Sequence, residues 1–133
     1  MALSESLPVY RQSYELLQHI LLLVPKLPRI YRFNVGQRLI DSALDVLSLI
    51  YEANASRDKV QPLTRLARQY EMTTMLLRVL YDTHVIGAKQ AAFFIQLTTG
   101  IGRQITAWKN HYLSVPHTND KNPRRTADDT PGN

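Results

Sequence analysis

Cationic side chains in two short segments are the groups of this sequence most suited to chemistry. Arginine outnumbers lysine 11 to 5 in the chain. A guanidinium group donates hydrogen bonds in a planar fork that matches a phosphate group. The pattern therefore predicts contact with a phosphate backbone, although charge that only keeps the protein soluble is the alternative. The candidates are Lys26, Arg29, Arg32 and Arg38 in the first segment, and Arg57, Lys59, Arg65 and Arg68 in the second.

The positive excess belongs to the part of the chain that is expected to fold. Lys and Arg total 16 against 11 Asp and Glu, a formal net charge of +5 at pH 7. Residues 1–112 hold 13 basic and 8 acidic residues, whereas residues 113–133 hold three of each. Such a balance is consistent with a nucleic-acid partner.

The sequence contains no recognisable catalytic or metal-binding pattern. The chain has no cysteine, which excludes disulfides, thiolate zinc sites and cysteine nucleophiles. None of its four glutamates precedes a histidine by three residues, as a di-iron bundle requires, so Glu15 and His19 are interpreted as a pair on a helix surface. The glycines of Thr98–Arg103 do not complete a dinucleotide loop, since Ile105 stands where the third glycine belongs. We expect no catalytic residue, metal or cofactor.

Apolar residues three and four apart predict four helices, over residues 7–24, 35–55, 57 or 58 to 85, and 88–112. Ser6 and Asn34 are the expected N-caps of the first two. The short connections favour an all-α, antiparallel up-down-up-down four-helix bundle over residues 1–112. Residues 113–133 are expected to be a disordered polar tail. No apolar run is long enough to span a membrane and no secretory signal is evident, so the expected location is the cytoplasm.

The aromatic residues are predicted mainly to pack. Tyr31 and Phe33 are expected to hold the segment 25–33 on the core, although base stacking by an exposed Tyr31 or Tyr112 is an alternative. Core positions are also expected for Tyr14, Tyr70 and Tyr81.

Two features of the predicted helices concern their contacts. Gly100 and Gly102 indicate a close helix–helix approach, within one subunit or between two. The second and fourth helices carry more apolar surface than one bundle needs to bury, which favours an oligomer. The surplus residues are Ile40, Leu44, Tyr51, Phe93 and Ile95.

Three stretches of the sequence together point to a family. They are Tyr-Arg-Phe-Asn-Val-Gly-Gln-Arg-Leu at 31–39, Glu-Ala-Asn at 52–54, and Ile-Gly-Arg-Gln-Ile-Thr-Ala-Trp at 101–108. With the preceding loop at 24–28, they resemble the accessory variability determinant (Avd-like) proteins, four-helix bundles encoded beside diversity-generating retroelements. The resemblance covers about residues 8–112. A sister family, encoded in ribosomal-RNA intervening sequences, shares the fold and part of the pattern.

The resemblance implies a non-catalytic accessory protein that assembles as a homopentameric barrel with a positively charged surface. Proteins of this kind bind the retroelement's reverse transcriptase and its template RNA, and so support error-prone cDNA synthesis. The matching stretches rank Arg32 and Arg38 first among the candidate contacts, and they add Arg103. The charge-balanced tail departs from the basic tail that would strengthen an RNA-binding role. A scaffold of the intervening-sequence type, without a reverse-transcriptase partner, is the alternative.

Overall fold

A computed structural model describes residues 4–114 of the chain, and its regular elements are all helical. The four long helices confirm the all-α class for this range. The predicted polar tail lies outside it, apart from residues 113 and 114, which continue the last helix. The elements are α1 (Pro8–Leu23), α2 (Arg29–Arg32), α3 (Val35–Ala55), α4 (Val60–Asp82) and α5 (Ala88–Ser114), with 3₁₀ turns at Ser4–Ser6 and Val24–Lys26.

The long helices form an antiparallel bundle in which each packs against two neighbours. Helices α1 and α4 stand at opposite corners, and each contacts both α3 and α5. Side-chain contacts across the interfaces fall in antiparallel order, which confirms the predicted up-down-up-down path. The pairs are Ser42–Gln69 and Glu52–Arg65 between α3 and α4, and Gln12–Gln104 and His19–Phe93 between α1 and α5.

The core follows the predicted helical stripes with three exceptions. The three-and-four spacing along α3 predicts an inner face that is wholly buried in the structure, at Leu39, Ala43, Val46, Leu47, Ile50 and Ala53, and Tyr70 of α4 is buried as well. The same spacing places Tyr14 and Leu21 in the α1 stripe, but both are about half exposed because they fall at its edge. The buried position expected for Tyr81 is wrong too, since its side chain is 41% exposed while the adjacent Leu80 faces the core.

Several helix boundaries differ from the predicted ones, and α4 begins at Val60 rather than at residue 57 or 58. Helix α1 has Leu7 rather than Ser6 at its N-cap, without a side-chain cap, and Pro8 opens its first turn. Helix α4 ends at Asp82, because His84 adopts a left-handed backbone with φ of 61° that terminates the helix. The predicted cap of α3 is confirmed, since Asn34 Oδ1 accepts a hydrogen bond from the Val35 amide.

The two mid-helix glycines differ in their surroundings. A Cβ at Gly102 would lie 3.3 Å from Tyr70 Cε2, so this glycine allows a close α4–α5 approach within the chain. Tyr70 donates its hydroxyl hydrogen to the Thr98 carbonyl, and its burial raises the pKa of that hydroxyl well above the ordinary value. A Cβ at Gly100 would meet only Gln12 Oε1 at 3.7 Å, an ordinary distance, so packing within the chain does not require glycine there.

The connection from α1 to α3 is tighter than the loop that the sequence predicts. It contains the one-turn helix α2, and it packs directly on the start of α3 at Gly36. A Cβ on Gly36 would lie 2.9 Å from Val24 Cγ1 and 3.3 Å from the Tyr31 carbonyl oxygen. Tyr31 is half-buried against the core as predicted, but Phe33 is 74% exposed, so the prediction that it anchors this segment is wrong.

We therefore expect Gly36→Ala to lower the free energy of unfolding by about 1–3 kcal/mol, because the added methyl overpacks a contact that backbone and a β-branched side chain form. Urea denaturation followed by circular dichroism measures the change. Gly87→Ala is the matched control, since nothing lies within 4 Å of a Cβ at that position. Equal stability of the two variants would refute the close approach at Gly36.

Candidate nucleic-acid interface

The first cationic segment lies at one end of the bundle, where the chain passes from α1 to α3. We call Lys26, Arg29, Arg32 and Arg38 the cationic corner. No acidic residue occurs in the sequence between Glu15 and Asp41, so this stretch carries no compensating charge of its own. Lys26, Arg29 and Arg38 are exposed, and none of them forms an ion pair within residues 4–114. The fold therefore leaves these three cations available to an anion.

Arg32 occupies a different environment from its neighbours. Its side chain is half-buried, and Nη2 donates to the Leu27 carbonyl at 3.2 Å. Its guanidinium carbon lies 5.9 Å from the centroid of the Phe33 ring, a cation–π distance. Arg32 thus ties the 3₁₀ turn to α2 and stands beside Phe33, so positioning the corner is one of its roles.

Lys59, in the second segment, is engaged by the fold. Its ammonium group donates to the carbonyls of Ala53, Asn54 and Ser56 at 2.9, 3.0 and 2.7 Å. These carbonyls lie at the C-terminal end of α3, where the last helical turn lacks partners and the helix dipole favours a cation. The same ammonium lies 5.9 Å from the Tyr112 ring centroid. Lys59 therefore closes the end of α3.

Arg65 pairs with Glu52 across the α3–α4 interface. Both side chains are nearly half exposed, so solvent limits the pair to at most about 1 kcal/mol of stability. The remaining two cations of this segment, Arg57 and Arg68, are exposed and have no ion-pair partner in the described range.

The nine candidate cations do not form a single patch. Helix α3 has 21 residues, so about 30 Å separates the cationic corner from the start of α4. The two segments therefore begin at opposite ends of the bundle. Arg68 and Arg103 lie along the sides of α4 and α5, and both are exposed.

Sequence reasoning missed the exposed apolar residues of the corner. Ile30 and Phe33 are 71% and 74% exposed, beside the corner cations in the chain. The two aromatic residues that were candidates for base stacking, Tyr31 and Tyr112, are both half-buried against the core. The sequence offered one signal for the exposure of Phe33, which is its position between Arg32 and the N-cap Asn34. A residue at that position lies outside both helices and so outside their apolar stripes.

Glu15 and His19 are a surface pair, as predicted. Glu15 Oε2 and His19 Nε2 are 3.9 Å apart, one helical turn from each other, with both side chains well exposed. Across residues 4–114 no three acidic or histidine side chains converge in a way that could hold a metal ion. Over the same range, no helix combines the length and apolar character needed to cross a membrane.

A family model matches most of this chain. The model described as bAvd-like matches residues 8–112, which include α1 to α4 and nearly all of α5. The chain belongs to the bAvd-like family. The matched range contains the stretch 31–39, in which Asn34 caps α3 and Gly36 packs against the α1–α3 connection. Neither a search of curated proteins nor a search of solved structures gives a match.

We expect Lys59→Met to lower the free energy of unfolding by about 1–2 kcal/mol, because it leaves three carbonyls at the end of α3 without their cationic donor. Thermal or urea unfolding measures the effect. Arg57→Met, a loss of one exposed charge in the same segment, should change stability by less than about 0.5 kcal/mol. If the two variants are equally stable, Lys59 does not cap the helix.

Proposed function

We propose that this bAvd-like protein is a non-catalytic accessory factor of a diversity-generating retroelement. It forms a homopentamer that binds the reverse transcriptase and nucleic acid, either template RNA or cDNA, and supports mutagenic reverse transcription. The observation that carries the proposal is the uncompensated charge of the cationic corner on a bundle of this family.

The basic surface supports the nucleic-acid part of the proposal. Six of the nine candidate cations are exposed and without an ion pair in the described range: Lys26, Arg29, Arg38, Arg57, Arg68 and Arg103. Contact between such cations and a nucleic-acid backbone neutralises phosphates and releases counterions. The affinity for nucleic acid therefore falls steeply as the salt concentration rises and depends little on base sequence. Lys59, Arg65 and Arg32 make their main contacts within the chain and act chiefly on its shape.

A closed ring of five subunits requires two different faces that fit each other. A first apolar face lies along α1 and α3. Gln12 and His19 of α1 contact α5. Residues on the opposite edge of the apolar stripe of α1 therefore lie next to α3. Ser42 of α3 contacts Thr73 of α4. Residues on the opposite edge of the apolar stripe of α3 therefore lie next to α1. The exposed apolar residues on these two edges are Tyr14, Leu21, Leu44 and Tyr51.

A second apolar face lies on the opposite side of the bundle, between α4 and α5. Tyr81 and Ile95 are 41% and 56% exposed, and both line a cavity of about 410 Å³. The floor of this cavity includes Leu77, Ile86 and Phe94. Because the two faces are different, each protomer can bind the next head to tail, and a ring of five closes when successive protomers are related by a rotation of one fifth of a turn. Every cationic corner would then hold an equivalent position around the ring.

The nucleic-acid role predicts a salt dependence that the corner controls. We expect Arg29→Gln/Arg38→Gln to weaken binding of a labelled RNA transcript at least tenfold at moderate salt. The slope of log K against log salt should fall by about 1.4, since each phosphate contact on a single strand contributes about 0.7. Fluorescence anisotropy across a salt series measures both quantities.

The matched control for this experiment removes the same charge elsewhere. Arg11→Gln/Lys109→Gln takes two cations from α1 and α5, away from the corner, and should change affinity far less. Binding that does not respond to salt, or equal losses in the two double variants, would contradict the corner as the nucleic-acid site.

The ring predicts a mass in solution of about five subunits by light scattering. Leu44→Glu and Ile95→Glu each place a charge on one apolar face, so each should break the ring while leaving the fold intact. A mixture of the two should form a dimer, because each partner retains the face that the other lost. Gln96→Glu, on the exposed surface of α5, is the control. A monomeric wild-type protein would refute the assembly.

A further inference from the structure

The two most exposed large apolar side chains of the described range occur together at the cationic corner. Phe33 is 74% exposed and Ile30 is 71% exposed. Both belong to the short segment around α2, where a buried position was expected for Phe33. An aromatic ring held in water is informative, because burying it would be favourable and the fold does not do so.

The backbone that presents these side chains is held in place. Asn34 Nδ2 donates to the Ile30 carbonyl at 2.6 Å, and Arg32 Nη2 donates to the Leu27 carbonyl. Tyr31, between them, packs on the core, and Gly36 lets this connection approach α3 closely. The Phe33 ring therefore projects from a fixed support, which lowers the entropy lost when a ligand binds it.

The surroundings of the ring are cationic. Arg32 stands over Phe33 at a cation–π distance of 5.9 Å. Lys26, Arg29 and Arg38 lie within the same stretch, and no acidic residue occurs between Glu15 and Asp41. At the same end of the bundle, Asp82 at the end of α4 and Lys89 at the start of α5 carry opposite charges, so together they add no net charge.

This combination suits an unpaired nucleotide better than a protein surface. The centre of a protein interface is depleted of charge, whereas Phe33 and Ile30 belong to a segment that carries four cations. An unpaired base offers a free π-face to an aromatic ring while arginine and lysine contact the flanking phosphates. Bases in a duplex are stacked on one another and cannot offer that face.

We propose that Phe33, supported by Ile30, stacks on an unpaired nucleobase, and that the cationic corner therefore prefers single-stranded nucleic acid to a duplex. The inference rests on the proposed nucleic-acid binding and adds to it the strandedness of the ligand and one contact residue. Lys26, Arg29 and Arg38 contact the adjoining phosphates, and Arg32 holds the ring in position.

The test compares a labelled 12-nucleotide oligouridylate with a 12-base-pair RNA duplex at one salt concentration. Phe33→Ala should weaken binding of the single strand at least about fivefold, the lower end for loss of one stacked base. Its effect on the duplex should stay within about twofold. The Phe33→Trp variant should restore single-strand affinity, and its added fluorescence should be quenched by the oligouridylate but not by the duplex.

Met75→Ala provides the control. Met75 is a large apolar residue with 48% exposure on α4, outside the cationic corner and outside both apolar faces of the proposed ring. This variant should leave the affinity for oligouridylate unchanged. Because Phe33 and Met75 are both exposed, neither substitution should alter the unfolding transition, and circular dichroism checks that both variants are folded.

The outcomes separate this inference from the proposed function. If the wild-type protein binds neither RNA, the nucleic-acid role itself fails. If the wild-type protein binds RNA but Phe33→Ala binds the single strand as tightly, or loses the same factor for both ligands, the stacking inference is wrong and the nucleic-acid role stands. A change confined to oligomer mass or to reverse-transcriptase binding would make Phe33 a protein contact and would equally overturn the inference.

Discussion

The close approach of Gly36 to Val24 and Tyr31 is the contact on which the shape of the cationic corner depends. Without a side chain at Gly36, the α1–α3 connection lies directly on the first turn of α3. That approach places Tyr31 against the core, and the next residues then lie outside it. The exposure of Phe33 and the projection of the corner cations follow from this packing, so a glycine in the helix start determines the chemistry of the surface beside it.

The cations divide into those that the fold uses and those that it leaves free. Lys59 closes the end of α3 and Arg65 spans two helices, whereas Arg29 and Arg38 have no ion-pair partner within the described residues. Net charge keeps a protein soluble wherever it lies, but cations concentrated in a stretch with no acidic residue also repel one another, which lowers stability. The uneven distribution is therefore a better functional indicator than the net charge.

The sequence predicts the helices well because their apolar spacing reflects burial directly, and the boundaries of α3 agree to the residue. The sequence predicts the environment of a single side chain less well where contacts with distant parts of the chain determine that environment. Lys59 and Phe33 show this in two ways: carbonyls at the end of α3 accept hydrogen bonds from Lys59, and the tight corner leaves Phe33 exposed. Apart from the position of Phe33 beside the N-cap Asn34, the sequence holds no local signal for these outcomes, because spacing reports which face of a helix is buried and not what a connecting segment packs against.

The double role of Asn34 has a consequence for how the corner forms. One amide side chain accepts from the first amide of α3 and donates to the Ile30 carbonyl of α2. A helix of four residues is not stable alone, so α2 depends on its contacts with α3. The shape of the corner therefore depends on α3. Its order is inherited from α3, and any event that frays the first turn of that helix would dismantle the corner with it.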